Sequence, residues 1–529
     1  MTIRVRFAPS PTGQVHIGNI RAAIFNWLYA KHTGGQFLLR VEDTDLERST
    51  PEAIRTLLEV MEWLRLDYDG EVLYQTSQLP KHLAAVEKLL AQGDAYKENK
   101  GGKGEAVLFR IPWETERVPG VAVVGPAELP VHPETPVVVS SRGVEFASIS
   151  AKGKSGPGGG CLAGFQDLRV WDASGACLFT LAEHLDEIWK GESFTCPNAV
   201  KLTFTRRAIS YDDIVKGKMT KPLDSLKDLV IVRSDGSPVF HIANVVDDIT
   251  QGVTHIIRGD DHVENTFKHI MLFACLGVQP PQYAHLPMIV NAAGKPYSKR
   301  DGDAFVGDFR TKGYLADALV NYLALLGWSP GDDREKMTRQ EMIEAFTLER
   351  CQRGSAQMDI RKLTNLNGMY MAELPEEEFF ATCLPLVRGY DWGANVSDAQ
   401  VKKVCTLMHS RLKTYADIAG WDYFFRDIPV YDEKACQKQF KDANAVAALK
   451  TLFPKLEALS AFCAADLEGA VESVAEEFGL AHGKLNQPLR VAVTGTGIGA
   501  GIFETMELLG KDCCLKRLQY ALSSKVIAD

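Results

Sequence analysis

The sequence predicts an α/β protein in which a parallel sheet is split by a β-rich insertion and followed by α-helical domains. The first 45 residues have the pattern strand, loop, helix, strand. Residues about 117–203 are rich in Val, Gly and Pro, and beyond about residue 330 apolar residues recur at helical spacing. With 529 residues, the chain has room for roughly three to four domains.

Composition and charge exclude several classes of protein. Hydrophobic residues make up 46% and charged residues 24% of the chain, as in a globular protein rather than a disordered or fibrous one. The net charge of −9 removes any attraction of the whole molecule to nucleic acid but leaves room for a local basic groove. Arg4 and Arg6 stand where a signal peptide would be apolar, and no apolar run approaches the roughly 18 residues of a membrane span. We therefore expect a cytoplasmic protein.

The eleven cysteines are scattered, apart from the adjacent Cys513 and Cys514, and none precedes Cys161. This spacing favours neither a disulfide framework nor a zinc ribbon. We therefore expect no metal site and no zinc, and we expect most cysteines in the core.

The N-terminal segment predicts a βαβ unit. Alternation in IRVRFAPS indicates a strand that breaks at Pro9. After Gly18 a helix begins whose apolar face is formed by Ile20, Ile24, Trp27 and Leu28. Gly34 and Gly35 end that helix, and FLLRVEDTD follows as a buried strand that leads into carboxylates. Strands joined through a helix lie parallel, so we expect a Rossmann-type sheet.

The middle of the chain predicts an interruption of this sheet. Amphipathic helices are expected over 51–66 and 78–92, and the β-rich insertion at 117–203 contains AKGKSGPGGG, which is typical of a flexible tether. Sheet patterns resume in DLVIVRSDGSPVF and THIIRGDDH, so one α/β domain is split. A helix is expected next, with four apolar residues on its buried face: Phe267, Ile270, Met271 and Cys275. The last third of the chain is expected to be helical, because its apolar residues recur at helical spacing, as in Val401, Val404, Cys405, Met408 and Leu412.

The loop between the first strand and the first helix is typical of an anion site. A helix N-terminus offers free backbone N–H groups and the positive end of the helix dipole. Gly18 would let the backbone approach a nucleotide. His16 could donate a hydrogen bond to a phosphate of ATP as charge develops in the transition state.

Three sequence blocks resemble one enzyme family. FAPSPTGQVHIGN resembles the HIGH loop of class I aminoacyl-tRNA synthetases, and with RAAIFNWLYAK and LLRVEDTD it is similar to the glutamyl-tRNA synthetase family of bacterial type. Residues 234–266 resemble the second active-site block of that family, and GKPYSKRDGD at 294–303 resembles its KMSKS loop. The residues matched in the two loops are Pro9, Ser10, Pro11, Thr12, Gly13, Ile17, Asn19, Lys295, Ser298 and Arg300.

The resemblance implies ATP-dependent attachment of L-glutamate to tRNA(Glu) through a glutamyl-adenylate, with release of AMP and pyrophosphate. It implies ATP with Mg²⁺ as cofactors, and we expect a monomer. The implied domains are the two Rossmann halves at 1–84 and 233–290, a connective domain at 85–232 that grips the acceptor end, a stem-contact domain at 291–375 and an α-helical anticodon-binding domain at 376–529.

Glutamate carries two carboxylates and an ammonium, so its pocket needs cations and an anion at fixed separations. The candidates are Arg6, Arg258 and Glu42, and it stays open which arginine takes the side-chain carboxylate. By resemblance the amino-acid site consists of Arg6, Ala8, Ser10, Glu42, Phe240, Asn244 and Arg258, with Glu42 on the ammonium. The implied ATP-binding residues are His16, Gly18, Asp261 and Lys299, and of these His16 and Lys299 are the expected catalytic residues.

Two departures from the family pattern keep alternatives open. Pro296 stands where the first lysine of the KMSKS loop is usual, with Lys295 one residue earlier. Phe240 stands where relatives often carry tyrosine, which removes one hydroxyl. A catalytically silent tRNA-binding paralogue is therefore one alternative, and a glutaminyl-type ligase is another, although glutaminyl enzymes of this family carry a β-barrel tail.

Other motifs are weaker. The GTGIGA stretch at 495–500 matches a dinucleotide fingerprint after the strand-like LRVAVT, but a tight turn between helices is the better interpretation because no second strand follows. Gly153, Lys154 and Ser155 lack the upstream glycine of a phosphate loop. Basic clusters that could contact the tRNA backbone are Lys201, Arg206 and Arg207; Lys216, Lys218 and Lys221; and Arg361 and Lys362.

Overall fold

The computed structural model describes residues 2–11, 13–45, 47–99, 104–149, 155–523 and 526. The chain forms two compact units, of which unit 1 comprises Met1–Val306 and Leu323–Met358, and unit 2 comprises Gly307–Tyr322 and Asp359–Asp529. Within the described ranges, no helix has both the length and the apolar character needed to cross a membrane.

The predicted βαβ unit is present at the start of unit 1. Its strands run parallel, with Val5 opposite Phe37. The helix begins at Ile17, one residue before Gly18, because the His16 side chain accepts a hydrogen bond from the Gly18 N–H and caps the first turn. It ends at Gly34, whose φ of 62° is left-handed. The elements of this part are β1 (Arg4–Phe7), α1 (Ile17–Thr33), β2 (Gln36–Val41), α2 (Pro51–Trp63), β3 (Leu73–Tyr74) and α3 (Leu79–Ala91).

The insertion is β-rich, as predicted, and one long strand organises it. This strand, β13 (Ala199–Asp213), pairs antiparallel with β6 (Val121–Pro130), β10 (Phe165–Asp172) and β14 (Gly217–Pro222), and its last residue pairs in parallel with Tyr283 of a later strand. The insertion therefore runs directly into the parallel sheet. The elements of the connective region, which contains the insertion, are β4 (Ala95–Glu98), β5 (Ala106–Phe109), β6 (Val121–Pro130), β7 (Val137–Ser140), β8 (Gly143–Ile149), β9 (Ser155–Gly160), β10 (Phe165–Asp172), β11 (Cys177–Thr180), α4 (Leu181–Trp189), β12 (Ser193–Cys196), β13 (Ala199–Asp213), β14 (Gly217–Pro222) and β15 (Leu229–Val232).

The prediction of a flexible tether is wrong for residues 155–160. These residues form β9, which pairs antiparallel with β8 over its whole length. Glycine permits this close pairing, because a Cβ at Gly158 would overlap the ring of Phe146. Residues 151–154, which include Gly153 and Lys154 of the rejected phosphate-loop motif, lie outside the described residues.

The second half of the parallel sheet follows the insertion. Strands β16 and β17 run parallel with Arg258 opposite His285, and the Thr254 N–H donates to the Arg4 carbonyl at 2.9 Å, which places β16 beside β1. The carboxyl ends of these strands therefore meet at one edge of the sheet, where α/β proteins bind ligands. The elements are α5 (Phe240–Gln251), β16 (His255–Gly259), α6 (Val263–Cys275), β17 (Gln282–Leu286), β18 (Ile289–Val290), α7 (Val306–Thr311), α8 (Ala316–Leu325), α9 (Arg339–Ala345) and β19 (Ala356–Gln357).

The apolar faces predicted for the later helices are confirmed. On α6 and on the helical last third, the buried residues include Phe267, Ile270, Met271, Cys275, Val401, Val404, Cys405, Met408 and Leu412. The remaining helices are α10 (Ile360–Ala372), α11 (Glu376–Arg388), α12 (Asp398–Met408), α13 (Glu433–Gln439), α14 (Ala443–Ala458), α15 (Ala464–Glu477), α16 (Asn486–Thr494), α17 (Ile502–Leu509) and α18 (Lys511–Ser523).

The strand-like interpretation of LRVAVT is wrong, since these residues lie in α16. Leu489, Ala492 and Val493 are spaced three and four residues apart and are all buried in one helical core. Gly495, with a φ of 75°, ends the helix, and α17 follows after a short turn. The GTGIGA stretch is thus a turn between helices, as expected.

Candidate active site

A cavity of about 640 Å³ opens at the carboxyl ends of β1, β2 and β16. All seven residues predicted for the amino-acid site line it, and so do three of the four predicted for ATP. The predicted residues on its wall are Arg6, Ala8, Pro9, Ser10, His16, Gly18, Asn19, Glu42, Phe240, Asn244, Arg258 and Asp261. Other predicted residues are described but do not line it: Pro11, Gly13, Ile17, Lys295, Ser298, Lys299 and Arg300. Thr12 lies outside the described residues.

A buried network of charges holds Arg6 and Glu42. The Arg6 Nε donates to Asp248 Oδ1 at 2.9 Å, and the Arg40 Nη1 donates to the same oxygen at 2.6 Å. Arg40 also reaches Glu42 Oε1 at 3.3 Å, and the Asn244 amide donates to that oxygen at 2.9 Å. Asp248 therefore already neutralises much of the charge on Arg6, while Glu42 is fixed in one orientation on the cavity wall.

Glu42 is suited to receive an ammonium group. It is only 8% exposed, and burial raises its pKa, although the guanidinium groups of Arg40 and Arg6 oppose this effect. A buried carboxylate regains stability when a further cation comes close. A substrate ammonium seated on Glu42 would supply that cation.

Arg258 lines the cavity without a carboxylate partner in the described part of the chain, as does Arg21, which donates instead to the backbone carbonyls of Leu326 and Pro287. The Arg258 Nη2 donates to the Thr266 hydroxyl at 2.7 Å, and the exposed fraction of Arg258 is 7%. Burial lowers the pKa of Arg258 to about 10, and the nearby charge of Arg6 adds to this effect. A guanidinium that is buried without a counter-ion is ready to bind an incoming carboxylate.

Phe240 forms part of the wall beside these charges. It is the first residue of α5, and its ring stacks on His262 with the ring centres 5.5 Å apart. Phe240 lines the cavity, and the hydroxyl that a tyrosine would add is lacking at this wall.

The start of α1 differs from the expectation of free N–H groups. The Ile17 N–H donates to the Ala304 carbonyl at 2.9 Å, and the Gly18 N–H donates to His16 Nδ1 at 3.0 Å. The expectation is therefore wrong for these two donors, because a distant loop and the His16 cap already satisfy them. The helix dipole still points its positive end at the cavity wall formed by Gly18 and Asn19.

His16 is held as a neutral donor. Since its Nδ1 accepts from Gly18, the neutral ring carries its hydrogen on Nε2. Burial lowers the pKa of His16, while a hydrogen bond with the Tyr297 backbone opposes this effect. The ring is thus fixed between the loop before α1 and the loop that resembles KMSKS.

Lys299 lies near His16 but not on the cavity wall. Its Nζ is 5.8 Å from the centre of the Phe305 ring, and that ring meets the His16 ring edge-on at 6.0 Å. The neighbouring Pro296 and Tyr297 do line the cavity. The structure therefore brings this loop to the site and places its lysine beside the same aromatic ring as His16.

Most of the basic clusters predicted for tRNA are already paired. Lys216 contacts Asp260 at 2.8 Å, Lys221 contacts Glu264 at 2.8 Å, and Arg206 contacts Asp224 at 3.0 Å. Two further members are also engaged, since Lys201 lies 3.5 Å from Glu128 and Arg207 is buried over the Trp113 ring. These pairings reduce the positive charge that the clusters offer to phosphates.

Two residues that support the site from behind were not predicted from the sequence. Arg40 and Asp248 are fully or almost fully buried and hold Arg6 and Glu42. One signal was present: an arginine inside the apolar strand FLLRV must find a buried partner. Arg258 is held from behind by Thr266 and His285. The sequence holds no comparable signal for these two partners.

Comparison with known proteins identifies the family. Residues 2–103 and 178–365 match the family described as tRNA synthetases class I (E and Q), catalytic domain, and residues 378–522 match an anticodon binding domain. The chain therefore belongs to the class I tRNA synthetases of the E and Q group, and the predicted fold class is confirmed. Enzymes of this class use ATP. Residues 104–177, within the insertion, lie outside both matches.

Named relatives extend over nearly the whole chain. Glutamate–tRNA ligase 1 of Caldanaerobacter subterraneus subsp. tengcongensis is 34% identical, covering 98% of this chain and 97% of its own length. Glutamate–tRNA ligase of Thermodesulfovibrio yellowstonii is 35% identical, covering 99% and 100%. A solved glutamate tRNA ligase from Elizabethkingia meningosepticum, in complex with its amino acid, matches with a TM-score of 0.67 and 26% identity, covering 99% of this chain and 100% of its own.

Proposed function

We propose that this enzyme attaches L-glutamate to tRNA(Glu) in two steps. An oxygen of the glutamate α-carboxylate attacks the α-phosphorus of ATP, the bond to the bridging oxygen breaks, and pyrophosphate leaves. A terminal ribose hydroxyl of the tRNA then attacks the carbonyl carbon of the glutamyl-adenylate, and AMP leaves. The observation that carries this proposal is the charge pattern of the cavity, with an Arg258 that has no carboxylate partner among the described residues, a buried Glu42 and an Arg6 paired to Asp248.

The charges favour glutamate over a neutral amino acid. Arg258 binds a substrate carboxylate, which supplies the counter-ion that this buried cation lacks among the described residues. Glu42 receives the ammonium, and Asn244 keeps its carboxylate in place at 2.9 Å. Arg6 contributes a partly neutralised positive field, because Asp248 binds it from behind.

The ATP end of the site lies at the start of α1. The His16 Nε2 hydrogen is available for a phosphate oxygen once the loop that contains Tyr297 moves, and Lys299 approaches from that same loop. Mg²⁺ enters with ATP as part of the substrate, and in the described ranges no group of three His, Cys, Asp or Glu side chains is arranged to hold a metal. Catalysis would then consist of positioning and charge stabilisation.

The assignments of the domains remain proposals. We assign the acceptor end of the tRNA to residues 85–232, the stem to 291–375 and the anticodon to the helices of 376–529. The match of 378–522 to an anticodon binding domain supports the last of these. The cytoplasmic location and the monomeric state also stay predictions.

ATP–pyrophosphate exchange tests the proposal. The purified chain is assayed with glutamate or glutamine, with and without tRNA(Glu). We expect exchange with glutamate and none with glutamine. Exchange with glutamine would favour a glutaminyl-type ligase, and tRNA binding without any exchange would show a catalytically silent paralogue.

A further inference from the structure

Behind Arg258 lies a chain of three polar residues that does not reach the cavity. The Arg258 Nη2 donates to the Thr266 hydroxyl at 2.7 Å, and its Nε lies 3.4 Å from His285 Nε2. His285 Nε2 also lies 3.0 Å from the Thr266 hydroxyl, and His285 Nδ1 lies 2.6 Å from Asp213 Oδ2. Thr266 and His285 have no exposed surface and Asp213 is 3% exposed, so none of the three touches a substrate in the cavity directly. The Thr266 hydroxyl also lies 3.2 Å from the His262 carbonyl.

The hydrogen bonds fix the protonation of His285. Asp213 accepts from the backbone N–H groups of Val215, Lys216 and His285, at distances from 2.7 to 3.3 Å, so its carboxylate is held as an acceptor. His285 Nδ1 must therefore carry the hydrogen that points at Asp213, and Nε2 must present its lone pair to Arg258 and Thr266. Burial lowers the pKa of His285, and the charge of Arg258 lowers it further, whereas the hydrogen bond with Asp213 opposes these effects. The net lowering agrees with a neutral ring.

A neutral acceptor has a consequence that a carboxylate would not have. Asp248 binds Arg6 and offsets part of its charge, whereas Thr266 and His285 orient Arg258 and leave its charge intact. The negative charge of Asp213 is kept one imidazole ring away from the guanidinium. Arg6 and Arg258 therefore differ in the kind of group that holds them.

We propose that Asp213, His285 and Thr266 form a positioning relay that holds the Arg258 guanidinium toward the substrate carboxylate without neutralising it. The relay rests on the proposed function, since it presumes that Arg258 binds glutamate. It also assigns a role to the insertion, because Asp213 is the last residue of β13, which brings the insertion into the parallel sheet.

Two substitutions of His285 test the relay atom by atom. His285→Asn retains a donor near the position of Nδ1 and removes the acceptor at Nε2, whereas His285→Gln can place an amide oxygen near Nε2. We expect His285→Asn to raise KM for glutamate roughly 10-fold, the effect of one hydrogen bond to a charged group. His285→Gln should raise it less, and neither should change KM for ATP.

His255→Asn is the matched control, since His255 lies on the same strand as Arg258 but does not line the cavity. The KM values of this variant should equal those of the wild type.

A second pair keeps the test independent of how well the His285 variants fold. Thr266→Val removes the hydroxyl that accepts from Arg258 at 2.7 Å, and Thr266→Ser keeps it. We expect Thr266→Val to raise KM for glutamate roughly 10-fold and Thr266→Ser to stay near the wild type. Equal increases in KM for ATP and for glutamate, or an unchanged KM for glutamate in both His285→Asn and Thr266→Val, would overturn the relay. If the wild type itself shows no glutamate-dependent exchange, the proposed function fails, and the relay fails with it.

Discussion

Arg6 and Arg258, which both line the cavity, are expected to affect the stability of the unliganded protein in opposite directions. Arg6 is paired with the buried Asp248 at 2.9 Å, whereas Arg258 has only neutral partners, Thr266 and His285, in the described part of the chain. Replacing Arg258 by methionine should therefore raise the free energy of unfolding. Replacing Arg6 by methionine should lower it.

The magnitude follows from the burial of the two groups. Burial lowers the pKa of Arg258 to about 10 from an ordinary value of 12.5, and such a difference corresponds to on the order of 3 kcal/mol against the charged form in the folded state. Because the folded-state pKa is the lower one, this penalty is fully present below about pH 10 and disappears only above the unfolded value. Arg258→Met should stabilise the protein by about 1–3 kcal/mol, because the loss of some packing and of the hydrogen bonds to Thr266 and His285 offsets part of the relief. Arg6→Met leaves Asp248 with Arg40 alone and should cost about 3 kcal/mol.

Urea unfolding at pH 7, in the absence of substrates, measures both changes, and pyrophosphate exchange measures activity. Both variants should lose glutamate-dependent exchange, so that Arg258→Met is the more stable but inactive protein. Glu264→Gln, which breaks the more exposed pair with Lys221, serves as the control and should change stability by about 1 kcal/mol or less. A less stable Arg258→Met, or an Arg6→Met at least as stable as the wild type, would contradict the assignment of charges.

Three further predictions concern catalysis and binding. Lys299→Ala should lower kcat for exchange by on the order of 100-fold while tRNA binding, measured by filter retention, changes little; an equal loss of both would argue against a role in charge stabilisation. Burial raises the pKa of Glu42, so kcat/KM for the substrate glutamate should fall as the pH is lowered. This fall should begin at a higher pH than it would for an ordinary glutamate side chain, whose pKa is about 4.3. A pH profile without this decrease would speak against the pairing of Glu42 with the substrate ammonium. Phe240→Tyr should lower KM for glutamate about fivefold by supplying a hydrogen bond of about 1 kcal/mol, and an unchanged KM would show that the hydroxyl finds no partner.

Local patterns predicted the elements that carry the site. The apolar spacing of α1, the glycine at its end and the two flanking strands give a βαβ unit from a short stretch of sequence. Because strands joined in this way run parallel, their carboxyl ends had to converge, and Arg6, Glu42 and Arg258 do line one cavity.

Long-range partners could not be predicted in the same way. Arg6 and Asp248 are 242 residues apart, and the Ile17 N–H is satisfied by the carbonyl of Ala304. Neither pairing leaves a local periodicity in the sequence. The strand β9 escaped prediction for a related reason, because distant groups make the glycines at 158, 159 and 160 necessary: the Phe146 ring lies against Gly158, and backbone atoms of Val144 and Asp224 lie against Gly159 and Gly160.

The helix α16 shows how a short apolar run misleads. LRVAVT alternates enough to suggest a strand, and only its burial within a helical core decides between the two periods. The same limit applies to the basic clusters, since their charge is visible in the sequence while their pairing with Asp224, Asp260 and Glu264 is visible only in the fold.

A crystal structure with a non-hydrolysable glutamyl-adenylate analogue tests the charge pattern of the cavity most directly. We predict that the analogue binds with its ammonium on Glu42 and with a carboxylate oxygen within about 3.2 Å of the Arg258 guanidinium. Its adenosine should extend toward His16 and Gly18 at the start of α1. An analogue bound outside this cavity, or one whose amino-acid end contacts neither Glu42 nor Arg258, would contradict the proposed recognition of glutamate.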